Sequence, residues 1–288
     1  MKVLITGCEG QVGRALLATV PEGFAATGAS RSELDLMDPE ALSEAITKSE
    51  ADVVVNAAAY TAVDHAEREE ELAFAVNAAG VENLAKASAR RGARLVHIST
   101  DFVFDGLNSL PYKPHSDPAP QSVYGRSKLA GEKAVLALPN NLVVRTAWVY
   151  SRHGSNFVKA MLRLMDAKRE LRVVADQVGT PTHAYSLSRA LWSLVLAKAE
   201  GVLHFTDAGV ASWYDFAVAI QEEALAMGLI QRQIPIVPIP TQGYPTPAKR
   251  PPFSVLDKSE TWEILAKPAA HWRAELREML ESLKEKNV

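Results

Sequence analysis

Short apolar runs alternate with longer amphipathic segments through the first half of the chain. The apolar runs are continuous, as in strands of a parallel sheet covered on both faces, and they predict strands over residues 3–6, 24–27, 53–56, 95–99 and 142–146. Apolar positions at helical spacing predict helices between them, over residues 11–19, 39–48, 66–91 and 124–138. This alternation indicates right-handed crossovers and an α/β fold with a Rossmann-type, doubly wound parallel sheet.

The alternation loosens after about residue 150, where further elements are predicted over residues 156–168, 171–175, 184–199 and 202–206. Ser212 is placed to cap a helix that runs to about residue 227, with Asp215 as the acid of a capping box. Prolines exclude a long helix over residues 234–252, which are predicted to form an ordered loop over a site or a surface connection. A last amphipathic helix is predicted over residues 271–284.

The composition of the 288-residue chain, 48% hydrophobic, provides enough apolar surface for one large α/β domain and a smaller companion. The formal net charge of −3 gives no general attraction for nucleic acid or for an anionic membrane. The single cysteine, Cys8, excludes an intrachain disulfide, and the sequence shows neither a signal peptide nor a membrane-spanning apolar stretch. We therefore expect a cytoplasmic protein without nucleic-acid or membrane partners.

A glycine-rich turn follows the first predicted strand and opens the first predicted helix. Gly7, Gly10 and Gly13 have the spacing G-x-x-G-x-x-G, and glycines permit positive φ and a close approach of the backbone to a pyrophosphate. The N-terminus of the helix supplies N–H donors and a partial positive charge for the same anion. A purely structural turn also uses such glycines, but their place between a strand and a helix favours a dinucleotide site.

Arg31 is the nearest charged residue after the second predicted strand. An acidic residue there would bind the ribose 2′-hydroxyl of NADH, whereas a guanidinium can pair with a 2′-phosphate. The sequence therefore predicts NADPH as the preferred cofactor, with NADH as the alternative. The competing interpretation is that Arg31 is a solvated loop residue.

Tyr124 and Lys128 lie four residues apart in a predicted helix and therefore share one face. A lysine ammonium close to the phenol would lower its pKa toward the neutral range, and the lysine can also hold the ribose hydroxyls of a nicotinamide cofactor. Thr100 ends the fourth predicted strand, at the carboxyl edge where open α/β sheets bind ligands, and can donate a hydrogen bond to a substrate carbonyl. A lone Y-x-x-x-K is unspecific, but its position behind the glycine turn and Thr100 predicts Thr100, Tyr124 and Lys128 as the catalytic residues.

With these motifs the sequence resembles the extended short-chain dehydrogenases/reductases, and within them the dTDP-4-dehydrorhamnose reductase family, from residue 1 to about residue 260. The resemblance rests on the glycine turn and on blocks that occur in the family's order: LDLMD at 34–38, VVVNAAAYTAVD at 53–64, STDFVFDG at 99–106, RTAWVY at 145–150, GSNF at 154–157, DQVGTPT at 176–182, WYDF at 213–216 and TPAKRPPFSVLD at 246–257.

The resemblance implies NADPH-dependent reduction of the C4 keto group of dTDP-4-dehydro-6-deoxy-L-mannose to dTDP-L-rhamnose. It also implies cofactor contacts by residues around the glycine turn and the next two strand ends: Gly10, Gln11, Val12, Asp35, Leu36, Ala58, Ala59 and Tyr60. Contacts with the nucleotide-linked deoxysugar are implied for Thr100, Asp101, Trp148, Asn156 and Arg250. For Trp148, a core aromatic at a strand end is an equal alternative.

The domain organisation follows from the same resemblance and pattern. Residues 1–150 are predicted to form an NAD(P)-binding domain, to which sheet and helix elements from about 171–200 return, and residues 151–288 mainly a substrate-binding domain. A homodimer is compatible with the family. Some relatives hold magnesium between subunits, but we find no His/Asp/Glu cluster with ligand spacing and leave magnesium open.

Two positions depart from the family pattern: Phe102 stands where many relatives have tyrosine, and Ser151 replaces a frequent glycine. Another nucleotide-sugar 4-ketoreductase, a 4-epimerase and a non-catalytic regulatory subunit remain alternative functions, whereas the sequence disfavours a 4,6-dehydratase. A 4,6-dehydratase would need an Asp-Glu pair after the threonine, but here Asp101 is followed by Phe102. A 4-epimerase would retain its cofactor after purification. A non-catalytic regulatory subunit of the methionine adenosyltransferase type would not need Thr100, Tyr124 and Lys128. The base, the exact sugar and the C4 stereochemistry stay undetermined by the sequence.

Overall fold

The computed structural model of the protein describes residues 1–284. Its strands, in chain order, are β1 (Lys2–Thr6), β2 (Ala25–Ala29), β3 (Val53–Asn56), β4 (Arg94–Thr100), β5 (Leu142–Thr146), β6 (Val149–Tyr150), β7 (Leu171–Val174), β8 (Val178–Gly179), β9 (Thr182–His183), β10 (Gly201–His204), β11 (Ala211–Ser212) and β12 (Ile236–Ile239). Six of them form the central sheet in the order β10-β5-β4-β3-β1-β2, with every pair parallel. The strand order reverses between β1 and β3, which is where sheets of this type bind ligands.

The helices are α1 (Gln11–Ala18), α2 (Pro39–Ser49), α3 (Val63–Ala66), α4 (Glu70–Phe74), α5 (Gly80–Arg91), α6 (Val123–Leu136), α7 (Phe157–Ala167), α8 (Ala184–Leu196), α9 (Trp213–Ala226), α10 (Ser259–Ile264) and α11 (Trp272–Lys284). A π-helical segment, Ala75–Ala79, joins α4 to α5, and short 3₁₀ turns occupy Asp101–Val103 and Thr241–Gly243. Among the helices within residues 1–284, none is long and apolar enough to cross a membrane.

Two apolar layers cover the central sheet. On one face α1 and α8 pack on the strands through side chains such as Leu16, Leu191 and Trp192, all nearly inaccessible to solvent. On the other face α2 and α5 contribute Leu42 and Leu84. The apolar strand runs require this double cover, so the predicted doubly wound α/β fold is confirmed.

A separate apolar cluster lies in the second half of the chain, where α7, α9 and α11 pack around Tyr150, Phe216 and Trp272. The predicted cap of α9 is confirmed: the Asp215 N–H donates to Ser212 Oγ at 3.0 Å, and the Ser212 N–H donates to Asp215 Oδ2 at 2.9 Å. The helix predicted over 271–284 is present as α11.

Two predictions about these elements were wrong. The helix predicted over 66–91 is interrupted, because the chain breaks between α3 and α4 and then widens into the π-helical segment before α5. The strand β7, expected among the elements that return to the central sheet, pairs instead with β12 inside the proline-rich segment that was predicted to be a loop. An edge strand tolerates Pro238 because no ladder N–H is needed from it there. α8 does return to the sheet, and β10 forms its edge.

Candidate active site

The glycine turn joins β1 to α1 and packs against the chain that leaves β3. Gly7 has φ +67°, and a Cβ added there would lie 2.6 Å from the Ala58 nitrogen. A Cβ on Gly13 would lie 2.3 Å from the Gly7 carbonyl oxygen. In the described chain no side chain caps Gly10, and the first turn of α1 holds no acidic residue, so its N–H groups can receive an anion. This cradle fits the pyrophosphate of a dinucleotide cofactor.

Gln11 connects this turn to the second half of the chain. Its Oε1 accepts hydrogen bonds from Asn156 Nδ2 at 2.9 Å and from Ser151 Oγ at 3.2 Å. Asn156 also caps α7, since its Oδ1 accepts from the Lys159 N–H at 3.1 Å. The side chain of Asn156 is thus engaged beside the cofactor turn, and its contact with the substrate stays a prediction.

The ends of β2 and β3 carry the other predicted cofactor residues. Arg31 is exposed two positions beyond β2, while Leu36 is buried in the core behind the sheet. Asp35 Oδ1 accepts from the Met37 N–H at 3.0 Å. Val12 is half-buried at the start of α1. These positions surround the sheet edge that the glycine turn occupies, and their cofactor contacts stay predictions.

Beyond β3, the segment Ala58, Ala59 and Tyr60 is held by a residue that the sequence did not single out. Asn77 Oδ1 accepts from the Tyr60 N–H at 2.8 Å, and Asn77 Nδ2 donates to the Tyr60 carbonyl at 3.0 Å. Asn77 lies in the π-helical segment, a feature often found near functional sites, and no spacing in the sequence indicates it. The Tyr60 hydroxyl donates to Glu69 at 2.5 Å, which raises the pKa of Tyr60 to about 12.

Thr100 and Tyr124 meet at the carboxyl edge of the sheet. Thr100 ends β4, Tyr124 is the second residue of α6, and the Thr100 hydroxyl lies close enough to the phenol to act on its pKa. Ser122 caps α6 by accepting from the Gly125 N–H at 3.1 Å. A Cβ on Gly125 would lie 2.3 Å from the Phe102 carbonyl oxygen, so this glycine lets α6 approach the turn after β4. The Y-G-x-x-K pattern therefore contains a packing signal as well as the two side chains that are predicted to be catalytic.

The protonation of Tyr124 differs from the prediction. Burial raises the pKa of Tyr124 to about 12, the negative charge of Asp101 adds to this, and the Thr100 hydrogen bond acts in the opposite direction. Lys128 Nζ donates to the Ile98 carbonyl at 2.8 Å and lies 3.1 Å from His97 Nε2. The prediction that the lysine charge lowers the pKa of Tyr124 is therefore wrong, and Tyr124 is a protonated donor at neutral pH.

Asp101 is buried next to this pair. Its Oδ1 accepts from Thr100 Oγ1 at 3.1 Å, whereas Oδ2 has no hydrogen-bond partner among the described residues. Burial raises the pKa of Asp101 to about 6, although hydrogen bonds from Ser254 and Thr100 counteract this. The carboxyl group lies in a narrow cleft that Phe102 and Trp148 also line. A carboxyl oxygen without a partner in a cleft can accept a ligand hydroxyl.

The raised pKa of Asp101 predicts a pH effect on stability. Between about pH 4 and pH 6 the folded protein keeps a proton that the unfolded chain releases, so the free energy of unfolding falls as pH rises through this range. Asp101→Asn should make this slope less steep, while Asp207, whose pKa burial raises to about 8, continues to contribute; urea denaturation at several pH values measures the difference. Asp105→Asn is the control: the pKa of Asp105 is lowered by the Leu107 N–H and the Tyr112 hydroxyl, so its removal should leave that slope in place. An unchanged slope in Asp101→Asn would contradict the prediction.

Trp148 forms a wall of the same cleft. Its backbone is left-handed, with φ +50°, and its ring stacks on Trp213 with centroids 3.6 Å apart and an interplanar angle of 10°. A Cβ on Gly179 would lie 2.8 Å from the Trp148 ring, so the ring is seated against backbone. A strained backbone that presents a stacked indole to a cleft favours a binding role over simple core packing.

Arg250 lines the same cleft as Trp148. Its Nη1 and Nη2 donate to the two carboxylate oxygens of Asp64 at 3.0 Å and 2.8 Å, and this guanidinium holds the pKa of Asp64 below its usual range. The pair fastens the proline-rich segment to the chain after β3. A cavity of about 420 Å³ continues from Arg250 and Trp213 along α7 and β7, with Phe157, Leu164, Val173, Tyr244 and Thr246 also in its walls.

A buried ion pair joins strand β5 to helix α6 next to the candidate site. Arg145 on β5 and Glu132 on α6 make a bidentate contact with distances of 2.7 Å to 3.2 Å, and their side chains are only 4% and 1% exposed. Ser99 Oγ donates to the same carboxylate at 2.5 Å. The strand end that carries Thr100 is therefore tied to the helix that carries Tyr124 and Lys128.

The fold brings together one group of metal-ligand type that no spacing in the sequence indicates. His183, Glu275 and Glu278 converge with ligand atoms within 4.8 Å of one another, although the residues are 92 or more positions apart between strand β9 and helix α11. Arg189 donates to both glutamates at 3.0–3.1 Å and His183 Nδ1 lies 3.0 Å from Glu275. Magnesium prefers several oxygen ligands, so a cluster holding an imidazole and filled by an arginine does not fit it.

A doubly wound parallel sheet, a glycine cradle at its switch point and a Thr, Tyr and Lys group at its carboxyl edge define a nicotinamide-dependent oxidoreductase of the extended short-chain dehydrogenase/reductase class. Within this class, the chain belongs to the family described as RmlD substrate binding domain, whose model matches residues 1–285.

Relatives cover nearly the whole chain. A dTDP-4-dehydrorhamnose reductase of Mycobacterium tuberculosis is 44% identical over 284 residues, 96% of this chain and 91% of the relative. The crystal structure of a dTDP-4-dehydrorhamnose reductase of Clostridium acetobutylicum superposes with a TM-score of 0.93 at 39% identity, covering 99% of this chain and all of the other. The reductase of Bacillus anthracis in complex with NADP has a TM-score of 0.91 at 33% identity, covering 98% and 99%.

Proposed function

We propose that this protein is an NADPH-dependent reductase that converts the C4 keto group of dTDP-4-dehydro-6-deoxy-L-mannose to the alcohol of dTDP-L-rhamnose. One observation carries the proposal: the Thr100 hydroxyl lies close enough to the Tyr124 phenol to act on its pKa, at the same carboxyl edge of the sheet that carries the cradle of Gly7 and Gly13. The similarity to dTDP-4-dehydrorhamnose reductases over nearly the full length supports the same substrate.

The chain's own residues provide the proton and the geometry. NADPH, when bound, supplies the hydride. Thr100 and Tyr124 donate hydrogen bonds to the ketone oxygen, and Tyr124 passes its proton to that oxygen as the alkoxide forms. A phenol with a pKa of about 12 is fully protonated at neutral pH and is therefore ready to donate. Lys128 is placed behind Tyr124 by the Ile98 carbonyl, where it can hold a ribose hydroxyl.

The substrate is proposed to lie across the cleft between the two halves of the chain. Asp101 would accept a hydrogen bond from a sugar hydroxyl, and the stacked Trp148 would cover the apolar face and methyl group of a deoxysugar. The nucleotide would extend past Arg250 into the 420 Å³ cavity. Residues 1–150 would then serve mainly the cofactor and residues 151–288 mainly the substrate; residues 285–288 lie outside the described part of the chain.

The function is tested by measuring NADPH oxidation with a panel of nucleotide-linked 4-ketosugars. We expect turnover with dTDP-4-dehydro-6-deoxy-L-mannose and the corresponding rhamnosyl product. Cofactor that stays bound through purification, with interconversion of C4 epimers, would favour an epimerase instead. Absence of turnover with every ketosugar, together with co-purification of a partner enzyme, would favour a regulatory subunit. A cytoplasmic location and a homodimer stay predictions that fractionation and sedimentation velocity can check.

Arg31 provides a test of cofactor choice. If its exposed guanidinium pairs with the 2′-phosphate, Arg31→Ala should raise the KM for NADPH about tenfold or more and leave the KM for NADH nearly unchanged. Initial rates with both cofactors measure this. Arg68→Ala, also at a charged position of the same half of the chain, is the control and should change neither KM. An equal NADPH preference in wild type and Arg31→Ala would show that Arg31 is a solvated loop residue.

A further inference from the structure

Arg250 lies where the narrow cleft at the sheet edge meets the cavity of about 420 Å³ beside α7. Of the residues within 1–284, three line both spaces, namely Gln177, Trp213 and Arg250, and only the arginine carries a charge. In a nucleotide-linked sugar the diphosphate stands between the sugar and the nucleoside. If the proposed function holds, a substrate that fills both spaces therefore brings its negative charges to this arginine.

The guanidinium of Arg250 has two forks of N–H donors, and one of them is occupied. The end fork, Nη1 and Nη2, donates to the Asp64 carboxylate at 3.0 Å and 2.8 Å, and Nη1 also donates to the Ala248 carbonyl at 3.4 Å. The side fork, Nε–H and the second N–H of Nη2, has no acceptor in the part of the chain that the structure describes. A guanidinium can thus bind a phosphate through two parallel hydrogen bonds while it keeps its carboxylate partner.

Asp64 is itself fixed by the backbone. Its Oδ1 accepts from the Ala248 N–H at 3.2 Å, so it contacts residues that are 184 and 186 positions away along the chain. The pair is partly covered, with 33% of the Asp64 side chain and 25% of the Arg250 side chain exposed. Asp64 lies in the short helix α3, which follows the segment predicted to border the cofactor. Its carboxylate therefore holds the proline-rich segment and the arginine in one arrangement.

We propose that Asp64 is a positioning residue, which fixes the guanidinium of Arg250 so that its side fork binds the diphosphate of the nucleotide-linked substrate. A free arginine side chain would have to be ordered when the ligand binds, and a preformed ion pair removes much of that cost. The carboxylate also repels a diphosphate through space. Positioning and simple electrostatics consequently predict opposite effects when the carboxylate is removed.

The sign of the effect of Asp64→Ala on nucleotide affinity tests the proposal. Calorimetric titration of the full-length protein with dTDP measures this affinity without turnover. If Asp64 positions the arginine, Asp64→Ala should raise the Kd for dTDP about tenfold or more. Electrostatics alone would lower the Kd, because a negative charge is lost. A Kd that is unchanged or lower would overturn the proposal.

A double-mutant cycle tests whether Asp64 acts through Arg250. In an Arg250→Ala background only the repulsion by the carboxylate remains, so adding Asp64→Ala should leave the Kd unchanged or lower it. A further tenfold loss in that background would reject the positioning role. Glu70→Ala is the matched control: it removes a carboxylate from the exposed pair with Arg126, 3.4 Å apart, and should change the Kd by less than about twofold.

Arg250→Lys decides the matter if Asp64→Ala fails to fold. Lysine keeps the positive charge but has no second fork, so the Kd for dTDP should again rise about tenfold. An unchanged Kd would show that charge alone binds the nucleotide, and would overturn the proposal.

Turnover provides a separate measurement. Asp64→Ala should raise the KM for the ketosugar and change kcat by less than about twofold, because in the proposed geometry Asp64 does not touch the reacting atoms. A lower kcat at an unchanged KM would contradict the positioning role. If the wild-type protein does not bind dTDP, the proposed nucleotide is wrong and this inference falls with it. If the wild type binds dTDP and the variants bind it equally well, only the positioning role is wrong.

Discussion

Tyr124→Phe is expected to lower kcat by about 10²- to 10⁴-fold while the affinity for NADPH changes by less than about twofold. The substitution removes the hydroxyl that delivers the proton to the ketone oxygen in the proposed geometry. It leaves the ring, its edge-to-face contact with Phe102 at 5.6 Å and the cap of α6 in place. Single-turnover rates with excess enzyme and a fluorescence titration with NADPH measure the two effects separately.

Tyr214→Phe is the matched control, because Tyr214 packs against the apolar cluster of the second half of the chain. It should retain wild-type turnover. A Tyr124→Phe protein that still reduces the ketosugar at more than about a tenth of the wild-type rate would exclude Tyr124 as the proton donor. Asp101, whose pKa is about 6, would then be the nearest alternative acid, and its Asn variant would identify it.

Arg145→Leu is expected to lower the free energy of unfolding by about 3–5 kcal/mol, because it leaves the Glu132 carboxylate buried without its partner. The guanidinium also donates to the Pro114 carbonyl at 3.1 Å and lies 5.1 Å from the centre of the Phe104 ring. Urea denaturation followed by both tryptophan fluorescence and circular dichroism measures the loss, provided that the two transitions coincide.

The control is the exposed pair of Glu82 and Lys86, which lie one helical turn apart in α5. Lys86→Leu should change the free energy of unfolding by less than about 0.5 kcal/mol, since solvent screens such pairs. A comparable loss at both sites would mean that burial does not set the energy of the Arg145 pair. A loss of activity in Arg145→Leu without a loss of stability would instead indicate a direct role for this arginine in the site.

The local sequence pattern was sufficient to predict the strands and helices that carry the candidate site. β3 and β5 have the predicted bounds, because both strands are buried on each face and read as continuous apolar runs. The capping box at Ser212 could be predicted because all of its partners lie within four residues. Tyr124 and Lys128 could be paired because helical spacing alone places them on one face.

Pairing between segments that are distant along the chain could not be predicted from the sequence. β7 joins β12 some 65 residues away, and Asn77 in the π-helical segment bonds the backbone of Tyr60, 17 residues earlier. The ligand-like cluster of His183, Glu275 and Glu278 likewise joins separate parts of the chain. Spacing rules describe neighbours within one helix or strand, so contacts of this kind have no sequence period to reveal them.

The sequence by itself determined the doubly wound sheet, the glycine turn at its first crossover and the identity of the residues at its carboxyl edge, because each follows from apolar periodicity or from spacing within one element. The tertiary structure alone decided how those residues are protonated. Burial raises the pKa of Tyr124 to about 12 and lowers that of Lys128 to about 8. Desolvation and hydrogen-bond direction depend on what surrounds a group in space, and the order of residues along the chain does not contain that information.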